Sequence, residues 1–255
     1  MKNSIVSSII YRGPSLIDGS PIVVVAVITK SDDAANEKTG AVVQTYILRA
    51  DMDPRDASKS GADFSICGNC PHRGIATDDP KPKLAKKRTC YVVIGQGPLI
   101  VYRAMLRGNY PDAFDHDSIA AIGAGQVVRL GTYGDPAAVP SHVWDSLLTN
   151  ADSHLGYTHQ SGFAGADVRN DLCMTSADTE KQARDAWARG ERTFRIIAST
   201  ADMVKGQEAL CPASKEGGYK TTCNSCKLCG GTSVNARSIA IVAHGSGAKY
   251  FGEVA

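Results

Sequence analysis

The sequence predicts an α/β fold with a parallel sheet, shaped as a βα barrel or a partial barrel and carrying two cysteine-rich metal-binding loops. Three observations support this prediction. Short β-branched segments alternate with segments of helical periodicity after residue 90, which is the pattern of a parallel sheet. Seven of the eight cysteines fall into two groups. The composition, with 43% hydrophobic and 21% charged residues, is that of a globular chain rather than a disordered one.

Two strands and a long polar segment are predicted in the first part of the chain. Residues 22–28 and 42–48 are rich in β-branched side chains, and the segment between them is polar. We therefore expect these strands to pair as a hairpin with a long loop. Residues 51–90 are polar and are interrupted by Asp-Pro, glycine and Lys-Pro, so we expect a loop that carries the first cysteine group. A loop of this length inside a domain is usually functional or locally cross-linked.

Strands and helices alternate in the remainder of the chain. The predicted strands cover residues 91–94, 127–130, 154–158, 172–175, 193–198 and 238–243, and the predicted helices cover 99–106, 118–124, 140–148 and 178–189. Asp178 or Thr179 is expected to cap the last of these helices. No internal repeat or linker divides the chain. We expect one α/β domain over residues 1–255, with cysteine-rich segments at 51–90 and 211–231.

The net charge and the hydropathy limit the range of partners. The formal charge of +2 gives no electrostatic reason to expect nucleic acid as the main partner, although the basic segment 81–88 leaves such a contact open. The longest apolar run, residues 21–28, is much shorter than the roughly 18 residues of a membrane span. The N-terminus lacks the long apolar region and the cleavage site of a signal peptide. We therefore expect a cytoplasmic protein with no membrane partner.

The second cysteine group predicts a metal centre. Cys211, Cys223, Cys226 and Cys229 follow the spacing C-x11-C-x2-C-x2-C. In a reducing compartment, clustered cysteines of this kind indicate a metal site rather than disulfides. Four thiolates either bind zinc tetrahedrally or hold an iron–sulfur cluster, and the ligand type alone does not separate the two. The isolated Cys173 is predicted to be a small buried residue.

The first cysteine group has three members and therefore two interpretations. It consists of Cys67, Cys70 and Cys90, and His72 is close to them in the sequence. In one interpretation, His72 completes a zinc site as the fourth ligand. In the other, the three cysteines hold a four-iron cluster and leave one iron open to a substrate or cofactor. A loop histidine at the surface is the alternative role for His72.

The order of the motifs resembles that of gene-product-eighty-eight-like phage proteins, which are related to radical S-adenosylmethionine enzymes. The motifs are Cys90-Tyr91, the segment RLGTYGD at 129–135, Trp144, Tyr157-Thr158, Cys211-Pro-Ala followed by Cys223, Cys226, Leu228 and Cys229, and finally His244. Together they extend over most of residues 67–244. The late cysteine segment is the specific part of this resemblance.

The resemblance implies a fold, a cofactor and a setting. The implied fold is βα-barrel-like, with an iron–sulfur cluster at Cys67, Cys70 and Cys90 and with S-adenosylmethionine as a further cofactor. The implied location is the cytoplasm of a bacterial host. The observed spacing C-x2-C-x19-C departs from the CxxxCxxC of most radical S-adenosylmethionine enzymes. A structural metal at the first group is therefore the alternative.

Four further residues are predicted to line an active site, because each lies at or after the end of a predicted strand. They are Asp135, Tyr157, His159 and His244. Asp135 is suited to bind a substrate hydroxyl or amine, and a turn aspartate is the alternative. His159 titrates close to neutral pH and is suited to general acid or base catalysis. A structural histidine is the alternative for both His159 and His244.

Two functions from different classes follow from these residues. The first is a phage-type iron–sulfur enzyme that cleaves S-adenosylmethionine reductively and acts on an unidentified small-molecule or macromolecular substrate. The second is a non-catalytic binding module in which zinc stabilises both cysteine groups. Such a module would contact nucleic acid through residues 81–88, or a host protein. The metal content of the purified protein separates the two hypotheses.

Overall fold

Ten strands form two five-stranded sheets in this computed structural model, which describes residues 6–29 and 37–253. The strands are β1 (Ser8–Pro14), β2 (Pro21–Val27), β3 (Val43–Arg49), β4 (Val127–Tyr133), β5 (Ser153–Leu155), β6 (Tyr157–Thr158), β7 (Met174–Ala177), β8 (Thr193–Ile197), β9 (Glu208–Leu210) and β10 (Ser238–Val242). The helices are α1 (Pro54–Ser60), α2 (Phe64–Cys67), α3 (Gly97–Leu106), α4 (His116–Gly123), α5 (Ser141–Leu148), α6 (Glu180–Ala188) and α7 (Cys223–Cys226).

The first sheet joins an antiparallel hairpin to parallel strands, in the order β1-β2-β3-β4-β5. β2 pairs antiparallel with β1 and β3, whereas the β3–β4 and β4–β5 pairs are parallel. The sequence of β2, PIVVVAV, is apolar on both faces, and its central residues are fully buried. The antiparallel pairing of β2 with β3 confirms the predicted hairpin between residues 22–28 and 42–48.

The second sheet is parallel throughout, in the order β6-β7-β8-β10-β9. Only Gly156 separates β5 from β6, so the chain passes directly from one sheet into the other. A side chain at Gly156 would meet the Sγ atom of Cys173 at 2.7 Å, and this close approach explains the glycine. Among the described strands, β1 and β5 are the edges of the first sheet and β6 and β9 those of the second, and the strands do not close into a barrel.

Helices bury the apolar faces of the sheets. α4 and α5 pack against each other, and Trp144 of α5 is 1% exposed and donates a hydrogen bond from Nε1 to the Pro136 carbonyl at 3.0 Å. α6 begins with a capping box formed by Thr179 and Gln182. The cap therefore lies at one of the two residues expected from the sequence. Cys173 is buried in the main core, as predicted.

Two stretches differ from the sequence prediction. Residues 51–90 are not a continuous loop, because they contain α1, α2 and a short 3-10 helix at Pro71–Arg73. The strand predicted at residues 91–94 is wrong. The Arg88 guanidinium donates hydrogen bonds to the carbonyls of Cys90 and Val92, both at 2.9 Å, and so occupies acceptors that a strand would use. β1, whose sequence contains Gly and Pro, is not predicted by its pattern.

Parallel pairing places the carboxyl ends of the strands on a common edge of each sheet. The segments that follow β3, β4, β6, β7 and β10 carry most of the candidate functional residues. This is the edge at which α/β proteins usually bind their ligands.

Candidate functional site

The first cysteine group lines a cavity of about 130 Å³. Cys67 is the last residue of α2, and Cys70 directly precedes the 3-10 helix Pro71–Arg73. Cys90 is distant in the sequence but is brought to them by its backbone N–H, which donates to the His72 carbonyl at 3.0 Å. The three predicted cysteines are thus on the wall of one cavity.

Gln160 attaches the loop of the first cysteine group to the end of β6. Its side chain is fully buried. Its Oε1 accepts a hydrogen bond from the Asn69 N–H at 3.1 Å, and its Nε2 donates to the Cys67 carbonyl at 2.9 Å. A Cβ on Gly68, where φ is +51°, would lie 2.1 Å from Gln160 Oε1. The close fit explains both the glycine and the buried amide.

Asp135 follows β4 and is 6% exposed. Its Oδ1 accepts from the Ala137 N–H at 3.0 Å, and its Oδ2 accepts from the His159 N–H at 2.8 Å and from Gln160 Nε2 at 3.1 Å. The carboxylate lies at the wall of the smaller cavity, but three donors already occupy it. The geometry therefore gives Asp135 a positioning role, in line with the turn aspartate considered for this residue.

Two histidines share one carboxylate at the same cavity. Asp178, directly before the cap of α6, accepts on Oδ1 from His72 Nε2 at 3.0 Å and from His159 Nε2 at 3.3 Å. Since a carboxylate only accepts, both Nε2 atoms carry a proton in this arrangement. His72 Nδ1 is 2.7 Å from the Thr89 hydroxyl, within hydrogen-bond distance. His72 is therefore a buried member of this network rather than a surface loop histidine.

The electrostatics of this network follow from burial and from the partners. Burial lowers the pKa of His159, but Cys70 and Asp178 outweigh it and raise that pKa well above its ordinary value. Burial raises the pKa of Asp178, but hydrogen bonds from His159 and His72 outweigh it and hold that pKa below its usual range. Burial raises the pKa of the Cys67 and Cys90 thiols. A metal at these sulfurs would have to displace protons.

The second cysteine group lines a larger cavity of about 350 Å³. Cys211 follows β9, Cys223 and Cys226 are the ends of α7, and the Cys229 carbonyl accepts from the Gly156 N–H at 3.1 Å between β5 and β6. Burial raises the pKa of Cys229 to about 12, partly offset by a hydrogen bond with Tyr157.

The four predicted catalytic residues do not share one cavity. Asp135 and His159 line the smaller cavity, and His244 is exposed at the larger one. Tyr157 lines both, as do Tyr91 and Phe194. The His244 ring stacks on Tyr91, with ring centroids 5.6 Å apart. The two cavities are therefore adjacent, and Tyr157 lies between the two cysteine groups.

The spacing of ligand atoms bears on which metal these residues suit. Within the described part of the chain, His72, His159 and Asp178 are the one set of three whose ligand atoms all lie within 4.8 Å of one another. No three cysteine sulfurs there meet that limit. A zinc ion with four Zn–S bonds of about 2.3 Å needs sulfurs about 3.8 Å apart. The sulfurs are therefore more widely spaced than a single zinc ion requires.

The basic segment 81–88 is partly used inside the molecule. Lys86 pairs with Asp79 at 3.2 Å, and the Arg88 guanidinium points inward to backbone carbonyls at the smaller cavity. Over the residues described, no helix is both long enough and apolar enough to cross a membrane.

Neither a protein-family model, nor a curated protein, nor a solved structure matches the chain. The resemblance to phage proteins related to radical S-adenosylmethionine enzymes stays a prediction.

Proposed function

We propose that the protein is an iron–sulfur enzyme related to radical S-adenosylmethionine enzymes, with its cluster held by Cys67, Cys70 and Cys90. The observation that carries the proposal is the position of these thiols. All three face one cavity at the carboxyl ends of parallel strands, and that cavity adjoins a larger one with room for a substrate. Active sites of α/β proteins are built at this end of the strands.

The order of the strands supports a partial barrel as the scaffold. β3, β4 and β5 are parallel neighbours in the first sheet, and β6, β7, β8 and β10 are parallel neighbours in the second. Residues from β3, β4, β6, β8 and β10 line the larger cavity from one side. A concave row of parallel strands that stops short of closure accounts for this common lining.

The donor set at the first group suits a cluster. Three cysteines line one cavity, and their sulfurs do not all lie within 4.8 Å of one another, as the sulfurs around one zinc ion would. A four-iron cluster on three cysteines supplies one iron without a protein ligand and one-electron reduction of a molecule bound there. The second group, Cys211, Cys223, Cys226 and Cys229, would hold zinc or a second cluster beside the larger cavity.

The chain's own residues position this site and keep it closed. Gln160 and Asp135 fix the loop of Cys67 and the backbone of His159 to the ends of β6 and β4. Asp178 holds both imidazoles with their Nε2 protons directed at one oxygen. Cys70 raises the pKa of His159, so the protonated ring would offset negative charge on that sulfur.

The experiment measures 5′-deoxyadenosine after the anaerobically purified protein is mixed with S-adenosylmethionine and dithionite. We expect wild-type protein and the control Cys173→Ala to form this product, because Cys173 is buried in the core away from both cavities. Cys90→Ala is expected to form none. Colourless protein that contains two zinc ions and no iron would contradict the proposal and favour the zinc-stabilised binding module.

One observation favours a second candidate, a mononuclear metal enzyme at His72, His159 and Asp178. With metal–ligand bonds of about 2.1 Å, two ligand atoms at right angles are about 3.0 Å apart. The Asp178 oxygen lies 3.0 Å and 3.3 Å from the two Nε2 atoms, so a metal ion replacing their protons would need little movement. Two histidines and one carboxylate with open positions suit Fe(II).

This candidate is tested by titrating Fe(II) or Co(II) into the protein. His72→Ala is expected to remove one equivalent of bound metal, whereas His116→Ala, on a side chain that is 60% exposed, keeps it. Equal metal stoichiometry in the two variants would contradict a site at His72.

A further inference from the structure

The larger cavity carries a guanidinium with no carboxylate beside it. Arg129 and Lys227 are among the residues that line it, and no Asp or Glu of the described part of the chain does so. Lys227 pairs with Asp152 outside the lining, whereas no carboxylate of the described residues lies within 4.0 Å of the Arg129 guanidinium. A cation held away from water without a counter-ion is costly, and an anionic ligand would remove that cost.

Two polar groups on β4 face this cavity without a hydrogen-bond partner. The Nε atom of Arg129 and the hydroxyl of Thr132 are both buried and unpaired. The Arg129 guanidinium has a single hydrogen-bond partner among the described residues, the Tyr91 hydroxyl, to which an Nη atom donates. Buried polar groups are normally paired, so both groups are free to bind a ligand.

A bulge in β4 explains why both side chains reach the cavity. The pairing of β3 with β4 shifts register between Gln44 and Tyr46, and Gly131 has a φ of +63°. An irregularity of this kind changes the direction of neighbouring side chains. Arg129 and Thr132 would point to opposite faces of a regular strand, because they are an odd number of residues apart.

Part of the cavity wall is aromatic and apolar. The rings of Tyr157 and Phe194 pack with centroids 4.4 Å apart, and Tyr46 and Tyr91 lie near the guanidinium. Ile239 and Ile241 of β10 complete this wall. Such a wall suits a planar apolar group, while the charged side suits an anion.

We propose that the larger cavity binds a small aromatic anion, a carboxylate or a phosphate ester, through Arg129 and Thr132, with its ring against Tyr157 and Phe194. Tyr157 and Phe194 also line the cavity of the first cysteine group, so the bound anion is placed to be the substrate of the proposed enzyme. Only this role as substrate rests on the proposed function. Binding itself requires no cluster chemistry. The iron–sulfur enzyme would then act on an aromatic acid or an aryl phosphate.

The test is calorimetric titration of the full chain, as purified with its metal, with benzoate, phenyl phosphate and the neutral benzamide. We expect one of the two anions to bind at least tenfold more tightly than benzamide, which also shows whether carboxylate or phosphate is preferred. Arg129→Gln should weaken that anion at least tenfold, since hydrogen bonds to charged groups are among the strong ones. The matched control Arg107→Gln, on an exposed side chain, should bind as wild type does.

Three results would overturn the proposal. Benzamide binding as tightly as the anions, or unchanged anion binding by Arg129→Gln, removes the role of the guanidinium. Loss of metal from the second cysteine group in Arg129→Gln would show that Arg129 is instead the counter-ion of a metal–thiolate centre. Metal analysis of every sample distinguishes failure of the anion proposal from failure of the proposed function. Missing iron at Cys67, Cys70 and Cys90 would contradict the iron–sulfur enzyme but would leave anion binding by Arg129 unaffected.

Discussion

Replacement of Asp135 by asparagine separates a positioning role from a catalytic one. The carboxylate accepts three hydrogen bonds, two of them on Oδ2 from the His159 N–H and from Gln160 Nε2. Asn keeps the shape and one carbonyl oxygen, but in either orientation of the amide its NH₂ group faces at least one of these donors. Each buried donor left unsatisfied costs about 1–3 kcal/mol, so Asp135→Asn should lower the free energy of unfolding by about 1–3 kcal/mol.

Urea unfolding at equilibrium measures this loss. With a denaturant slope of about 3 kcal/mol per M, the midpoint should fall by about 0.3–1 M. Asp117→Asn is the control, because the Asp117 side chain is 97% exposed and should change stability by less than about 0.5 kcal/mol. Both variants and wild type must carry the same metal, since bound metal adds to stability. A loss below about 1 kcal/mol for Asp135→Asn would refute the positioning role.

Three further predictions concern other parts of the site. Gln160→Ala should lower the iron bound by the first cysteine group, measured by metal analysis, because it frees the Asn69 N–H and the Cys67 carbonyl; unchanged iron would contradict this. Burial lowers the pKa of His154, so the unfolded chain is protonated first as the pH falls and stability declines below about pH 6.5. In urea titrations at several pH values, His154→Gln should reduce the pH dependence of the free energy of unfolding by at most about 1.4 kcal/mol per pH unit. The same pH dependence in the variant and wild type would contradict this prediction. Thr179→Ala should cost about 1 kcal/mol of stability by calorimetry, and no change would contradict the cap.

Local features of the fold are largely predictable from the sequence. The β-branched run of β2 and the periodicity of α6 depend on neighbouring residues, and both elements form where the pattern places them within a few residues. The cap at Thr179 is predictable because a threonine hydroxyl accepts a hydrogen bond from the free backbone N–H groups in the first turn of a helix. The strand predicted at residues 91–94 does not form, because the Arg88 side chain hydrogen-bonds to the carbonyls of Cys90 and Val92.

The candidate site is only partly predictable, because it depends on long-range contacts. The grouping of cysteines follows from spacing, and Cys67, Cys70 and Cys90 do line one cavity. Asp178, by contrast, has the sequence signature of a helix cap, yet it meets His72 across more than a hundred residues. Arg129 lies in a strand-like segment, and only the bulge in β4 turns it toward the larger cavity together with Thr132.

The same limit applies to the four predicted catalytic residues. Each was expected to follow a strand, and Asp135, Tyr157, His159 and His244 do lie at such ends. Their strands differ in position across the two sheets, so the residues are divided between two adjacent cavities. A single sequence shows which residues end strands but not the angle at which those strands meet.

The central claim is an iron–sulfur cluster at Cys67, Cys70 and Cys90, and the most direct measurement is the iron and inorganic sulfide content of the anaerobically purified protein. The account predicts that the variant with all three cysteines replaced by alanine loses about four irons and about four sulfides per chain relative to wild type. Cys173→Ala should lose none. Equal iron and sulfide in wild type and the triple variant, or zinc in place of iron in wild type, would contradict the claim.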